Sequence, residues 1–536
     1  MDTEAPSHTP KTSIRSLPRR QLITTVTGVL LAMFLSSLDQ TVVGTAMPRI
    51  ISDLGGFSQY TWVTTAYIIA STITVPIVGK LTDMYGRKWF YIGGLTIFVI
   101  ASILSGFAGT MGQLIAFRAL QGIGGGTIIA NTFIVISDLF PPAERGKYQG
   151  IISAVFGLSS VIGPTLGGFI TDNLSWHWIF FINIPLGCLI IFLFIRFFPP
   201  LRPEQMKHTI DYPGVTAMVA CIAPLMLALT WAGTDYPWLS AQIIGLFAFS
   251  AVMLACLLYI ESRAPEPIIP LKMFRNRIIS VSTAVIFLSG FAMFGGIVFI
   301  PLYFQGVLGS SATRSGSFLT PMMLGLVGGS LISGQVLSRT GGHYRIQGIF
   351  GLAVIAAALF LLSQMSVNTS HTKAVMNIVI LGFGLGCTMP LYVIAMQNAV
   401  SYEMLGVATS STVFFRQMGG VFGLAIFNTI MTHRFSTEFV GNLHPDAKAM
   451  ITPEPLNSLS DNPQALLNPE AKLQLKAIFD HAGPQGESLF NNVFDSLREA
   501  LNSAIAEVFF IALIVALVAW GINLFLKEIP LRKHHL

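Results

Sequence analysis

Long apolar runs alternate with short polar breaks along most of this chain, and fourteen such runs can be counted. They lie near residues 21–46, 61–80, 89–108, 112–137, 147–171, 178–198, 212–232, 239–260, 279–303, 316–338, 346–364, 374–396, 405–432 and 502–526. Each holds roughly 20 residues, enough for a helix to cross a ~30 Å hydrocarbon core. A backbone in lipid finds no water, so each run is expected to satisfy its own peptide groups as an α-helix. An even number of crossings puts both tails on one side.

The breaks are not evenly weighted. Polar segments at 199–211 and 261–277 divide the runs into six, two and six, which reads as two bundles with a two-helix insert. The expected organisation is a tail (1–20), a first bundle (21–198), an insert with flanking loops (199–277) and a second bundle (278–432 with 502–527). A hydrophilic stretch (433–501) interrupts the second bundle, and a short tail (528–536) follows it. Transporters built from two six-helix halves carry substrate between the halves and rock one against the other.

Composition sharpens this picture. The chain has 536 residues, 53% of them hydrophobic and 10% charged, with a mean hydropathy of +0.68, whereas a soluble domain carries about 25% charged residues. This is an all-α polytopic membrane protein. Its basic balance, a net charge of +6, is a matter of orientation rather than of nucleic acid. Of the 31 Lys and Arg residues, 21 fall on the side of the tails. The opposite short loops hold only Arg49, Arg314 and Lys373. Arg434, Lys448, Lys472, Lys476 and Arg498 lie in the long 433–501 stretch, which counts little because long loops cross regardless of charge. Both termini are expected in the cytosol, with the chain multi-pass in the cell membrane. The polar start "MDTEAPSHTPKTSIRSLPRRQ" leads into a run that is too long for a secretory signal. Cys188, Cys221, Cys256 and Cys387 fall inside apolar runs with no metal-ligand spacing, so no metal and no cofactor is expected.

Two basic residues remain, Arg118 and Arg416, and they sit inside spans four and thirteen. The carboxylate at comparable depth is Asp39, in "MFLSSLDQTVVGTAMPRI"; Glu507 is shallower. A charge at bilayer depth costs roughly 2.5–3.5 kcal/mol on insertion scales and marks ion or substrate paths. Desolvation favours the neutral form of an acid there, and a neighbouring Arg favours the ionised form. A movement that alters their separation would therefore change proton occupancy. A structural Asp bonded to Thr41, or a structural Arg bonded to carbonyls, is the plainer alternative.

The turn between spans two and three reads "GKLTDMYGRK", Gly79 to Lys88. Gly79 and Gly86 permit a sharp turn and close helix approach. Asp83 can accept from Arg87 or face a helix N-terminus, and Arg87 and Lys88 can meet another helix end. Such contacts would latch the two bundles on the cytosolic side; an ordinary basic turn is the competing reading.

This turn resembles the signature loop of the major facilitator superfamily. "LDQTVVGTAMP", "FRALQGIGGG", "GLSSVIGPTLGG", "WHWIFFINIPLG" and "FRQMGGVFGLAI", in that order from span one to span thirteen, resemble the fourteen-span drug:proton antiporters, the EmrB/QacA group. The resemblance implies the major facilitator fold, export of drugs, and proton transfer at Arg118; Asp39 is expected as the proton carrier on the argument from depth and desolvation. It also implies an antiporter motif at Gly157, Gly163, Pro164, Gly167 and Gly168, where missing side chains let another helix approach and Pro164 bends the span.

Other power sources and chemistries lack residues. Gly79-Lys80 and Gly146-Lys147 have neither the upstream Gly nor the following Ser or Thr of a phosphate loop. No zinc-protease helix motif or nucleophile elbow is present, so an enzyme is not expected. Trp62, Tyr67 and Phe415 are the aromatic residues expected to line a substrate cavity. Arg416, Gln417 and Glu507 form the candidate site of the second bundle. Two deep cations against one deep carboxylate argue against dications and for monovalent cations, neutral amphiphiles or anions.

The expectation is therefore a monomeric antiporter in the lipid bilayer, exchanging protons for small amphipathic substrates and binding no nucleic acid. A dedicated transporter of one metabolite or lipid, by antiport or symport, is the rival reading. A non-transporting sensor or scaffold is a third, disfavoured because a scaffold has no reason to bear deep charges.

Overall fold

The computed structural model describes residues 18–55, 59–199, 209–310, 319–443 and 486–531. Among them, fourteen helices are long and apolar enough to cross a bilayer. The first six are α1 (Arg19–Leu54), α2 (Tyr60–Tyr85), α3 (Arg87–Gly106), α4 (Met111–Leu139), α5 (Pro142–Asn173) and α6 (Trp178–Phe197). Then come α7 (Tyr212–Trp231) and α8 (Ala241–Arg263). The last six are α9 (Arg277–Leu302), α10 (Leu319–Thr340), α11 (Tyr344–Ser363), α12 (His371–Asn398), α13 (Leu405–Asn442) and α14 (Gly486–Asn523). Beyond Pro301, α9 continues as one wide π-turn over Tyr303–Val307.

Capping residues set several starts. The side chains of Thr110, Asp211, Ser240, Asn276 and Ser370 each accept from a first-turn backbone N–H of α4, α7, α8, α9 and α12. Gly86, at φ 93°, makes the one-residue corner between α2 and α3, a conformation that other residues reach only with strain.

The two sets of six pair in the same way. In the first half α1 packs on α5 and α6, α4 on α2 and α3, and α3 on α6; in the second, α9 packs on α13 and α14, α12 on α10 and α11, and α11 on α14. The second half is thus a repeat of the first, displaced by eight helices. The halves meet along two seams, α5 with α10 and α2 with α13. At the first seam a Cβ on either Gly146 or Gly334 would strike the other's carbonyl, so the backbones touch directly.

The insert α7–α8 lies against the α2–α13 seam. Trp231 meets Trp62 of α2 edge-on, with ring centroids 5.3 Å apart, and Trp238 Nε1 donates to Thr429 Oγ1 of α13 at 2.8 Å. At the other end Lys80 of α2 pairs with Glu266, just past α8, at 3.2 Å.

Several helices outrun the apolar runs. α13 continues to Asn442 and α14 begins at Gly486, well inside the hydrophilic 433–501 stretch. Phe435 and Phe439 on α13, and Val493 and Leu497 on α14, recur every fourth residue and are buried, so one face stays packed while the rest is polar. The helix-like "PEAKLQLKAIFDHA" lies outside the described residues.

Candidate functional site

Asp39 sits about 30 Å along α1 from Arg19, and Arg118 about two turns into α4 from its opposite end. The antiparallel helices bring both to one depth. Arg118 Nη1 donates to Asp39 Oδ2 at 2.6 Å and to Gln121 Oε1 at 2.7 Å. Asp39 Oδ1 accepts from Gln121 Nε2 and from Asn183 Nδ2 of α6, each at 2.9 Å. Asn183 also donates to Ser102 Oγ at 2.9 Å, and Ser102 donates to the Phe180 carbonyl at 2.8 Å. Tyr67 of α2 lies under the guanidinium, with its ring centroid 4.4 Å from Cζ, and its hydroxyl shares a hydrogen bond with Ser36.

Asp39 and Arg118 are each 1% exposed. The carboxylate takes three donors, the pattern of an ionised acid that only accepts. Removing either charge would strand the other in the interior at a cost of about 3–5 kcal/mol. Arg118 covers Asp39 Oδ2 alone, so a proton placed on that oxygen would displace the Arg118 contact.

The signature turn lies at the face shared by the two described chain ends, here the terminal face. Asp83 accepts from the backbone N–H groups of Gly406 and Val407, at 3.0 and 2.9 Å, where α13 begins. A carboxylate at a helix N-terminus satisfies free amides and complements the dipole. Arg87 Nη2 pairs with Asp83 at 2.6 Å while Arg87 Nε donates to Asp138 of α4 at 2.8 Å. Lys88 donates to the last carbonyls of α6, Ile195 at 3.0 Å and Phe198 at 3.2 Å. Gly79 has Ser410 and the Gly406 carbonyl against it. The turn therefore ties α2, α3 and α4 to the start of α13, across the halves.

Of the glycine-rich α5 residues, Gly163 faces Thr41 and Gly167 faces Thr45 and Val42, all on α1. Gly157 faces Met323 and Val327 of α10, in the other half, while Gly168 has no neighbour at this range. Pro164 lies inside the helix between them. One helix thus carries contacts to both halves.

The structure does not gather the expected substrate aromatics. Tyr67 is buried under Arg118, Trp62 is against Trp231 of the insert, and Phe415 is against Phe274 and Phe414. Nor do Arg416, Gln417 and Glu507 form one cluster. Glu507 lies 3.1 Å from Arg434 and is partly exposed, Gln417 Oε1 is buried with no hydrogen-bond partner, and Arg416 lines a pocket with α9 and α12. Residues at one depth on neighbouring helices face different directions, which depth alone does not reveal.

Sequence reasoning passed over Gln121, Asn183 and Ser102, which complete the cage of Asp39, and Asp138, which completes the latch. Gln121 was findable, three residues from Arg118 on the same helix face. It also passed over Arg145, which is 1% exposed. Arg145 donates to the carbonyls of Phe140 and Ser137 at 2.8 and 2.7 Å and reaches across the halves to Gln397 Oε1 at 3.1 Å. Gln397 in turn donates to Thr409 at 2.9 Å.

The chain resembles known proteins in sequence and in fold. A family model described as the Major Facilitator Superfamily matches residues 29–424. The multidrug transporter protein MdtP of Bacillus subtilis (strain 168) is 40% identical over 518 residues, covering 94% of this chain and 93% of that one. Multidrug resistance protein 3 of the same organism is 40% identical over 503 residues, covering 94% of each. Among solved structures, the human organic anion transporter MFSD10 has a TM-score of 0.59 at 13% identity, over 93% of this chain and 100% of that one. The proton:xylose symporter XylE has a TM-score of 0.57 at 13% identity, over 95% and 96%. At that identity the two structures speak for the fold alone. With a family model across most of its length and relatives at this identity, the chain belongs to the Major Facilitator Superfamily.

Proposed function

We propose that this protein is a proton-coupled antiporter that exports amphipathic drugs or other xenobiotics across the cell membrane by alternating access. The export part rests on relatives named as multidrug transporters over nearly the whole chain. The observation that carries the coupling is the buried Asp39–Arg118 pair, a charge at bilayer depth whose counter-charge sits on a different helix. The excess of Lys and Arg on the terminal side supports a cytosolic terminal face. We read the chain as working as a monomer, since one polypeptide supplies both halves.

In this reading the conformer described is shut toward the cytosol, held by Asp83 on α13, Arg145 on Gln397, and Gly146 on Gly334. Asp39 is ionised and waits for a proton from outside. Protonation releases Arg118, the latch opens, and the proton leaves to the cytosol as a substrate loads. Gly79, Asp83, Gly86, Arg87 and Lys88 are the gate, and Gly157, Gly163, Pro164, Gly167 and Gly168 the sliding surface of α5.

Inverted membrane vesicles holding the full chain, with an imposed pH gradient and ethidium as the probe, test this. Gradient-driven ethidium uptake accompanied by proton release is expected, and Asp39→Asn should remove both while the protein remains inserted. Uptake that persists in Asp39→Asn would sink the assignment of Asp39 as carrier.

A further inference from the structure

Charges buried among the helices are almost all answered. Asp39 has Arg118; Asp83 and Asp138 share Arg87; Arg145 has carbonyls and Gln397; Glu261 accepts from the N–H groups of Ile268 and Ile269 at 3.3 and 3.2 Å. Arg416, partly buried on α13, is the exception: among the described residues, its guanidinium has no hydrogen bond or ion pair. It lies about 17 Å along α13 from Leu405, near mid-depth.

Arg416 lines a pocket between α9 and α12 of about 10 Å³, the room a single water needs. Ser289 also lines it, and the Ser289 hydroxyl is buried with no partner. The other polar neighbours are committed: Thr388 donates to the Leu385 carbonyl at 2.9 Å and Tyr392 to Asn523 at 2.9 Å. The rest of the lining is apolar and includes Met293 and Met389, long unbranched side chains that repack at little cost. No carboxylate lies within α9, α10, α11 or α12, and the acid of α13, Glu438, is near its far end beside Arg434.

We propose that Arg416, assisted by Ser289, binds the anionic group of those substrates that carry one, so that the protein exports amphipathic carboxylates beside cations such as ethidium. A planar guanidinium presents parallel donors that match a carboxylate, and an adjacent hydroxyl supplies a further one. An unanswered cation at mid-depth is costly unless its counter-charge arrives with the ligand. The cramped pocket suits a conformer shut toward the cytosol, after an exported anion has left. The apolar body of the substrate takes the place opened by Met293 and Met389. This deepens the efflux reading and rests on it, naming one class among the substrates and the residue that selects it.

The test uses the full-length protein in detergent at fixed pH, and two probes with one apolar body, pyrenebutyrate and pyrenebutanol. Binding is read by energy transfer from protein tryptophans to pyrene, with the alcohol reporting non-specific partition. Wild type should bind the carboxylate about tenfold more tightly than the alcohol. Arg416→Gln should bring the two within about twofold, Arg416→Lys should keep part of the preference because charge survives without the fork, and Ser289→Ala should weaken the carboxylate a few-fold. Equal binding of the two probes by wild type overturns the proposal, as does a preference that survives Arg416→Gln. The wild-type comparison needs no variant to fold. The experiment uses no pH gradient, so failure of Asp39 as carrier and failure of Arg416 as anion site are separate results.

Discussion

The two halves repeat one helix pairing, yet they treat a charge well inside a helix in opposite ways. In the first half Arg118 meets its carboxylate within a closed set of hydrogen bonds; in the second, among the described residues, Arg416 has no hydrogen bond or ion pair. Repeated packing therefore does not imply repeated chemistry. A compensated pair can switch between states without a ligand, by exchanging partners and a proton. An uncompensated cation can act only when something arrives, and the division suits a carrier that must answer to an ion and to a substrate at separate places.

The contrast can be broken most severely at Asp39. Asp39→Asn keeps the shape but leaves Arg118 uncompensated; coupled flux in inverted vesicles should fall by about 100-fold or more, with thermal unfolding showing a loss of about 3–5 kcal/mol. The next largest effect is expected at the seam between the halves. Asp83→Ala removes the acceptor of the Gly406 and Val407 amides, and a cysteine in place of Ser410, now buried against Gly79, should react with a membrane-impermeant thiol reagent from the terminal face about tenfold faster. Gly146→Leu drives a side chain into the Gly334 carbonyl and should destabilise the shut conformer by about 1–3 kcal/mol. Distances between spin labels on α5 and α10 would report that shift as a larger share of separated halves. The smallest effect is expected at the insert, where Trp231→Ala loses two edge-on ring contacts, to Trp62 and Tyr236, of about 0.5–1.5 kcal/mol each. Ethidium flux should then stay within about twofold of the parent, and a larger loss would mean that the insert takes part in the rocking.

Much of this was legible before any coordinates. Helix number, order and grouping follow from the apolar runs because lipid leaves the backbone no alternative. The Asp39–Arg118 pair was legible because charges at that depth are rare. Its neutral partners were not: Asn183 and Ser102 look like any polar residue in a membrane helix until α6 is placed beside α1 and α3. Arg145 reads as a loop charge because it stands in the first turn of α5, and only the turned-in direction of that helix start buries it. The separation of Arg416 from Glu507 was equally hidden, since a sequence gives depth along a helix but not which neighbour each face meets. The extra turns of α13 and α14 escaped notice for a related reason: their helical faces are narrow, and mean polarity masked the spacing of Phe435, Phe439, Val493 and Leu497.

The position of the insert bears on how greasy molecules find the cleft. Because α7 and α8 sheathe the boundary between α2 and α13, and are fastened at one end through Trp231 and Trp238 and at the other through Glu266, that flank is walled off from surrounding acyl chains. Among the described residues, no helix sheathes the α5–α10 flank in the same way. A compound dissolved in the bilayer thus meets one covered flank and one bare one.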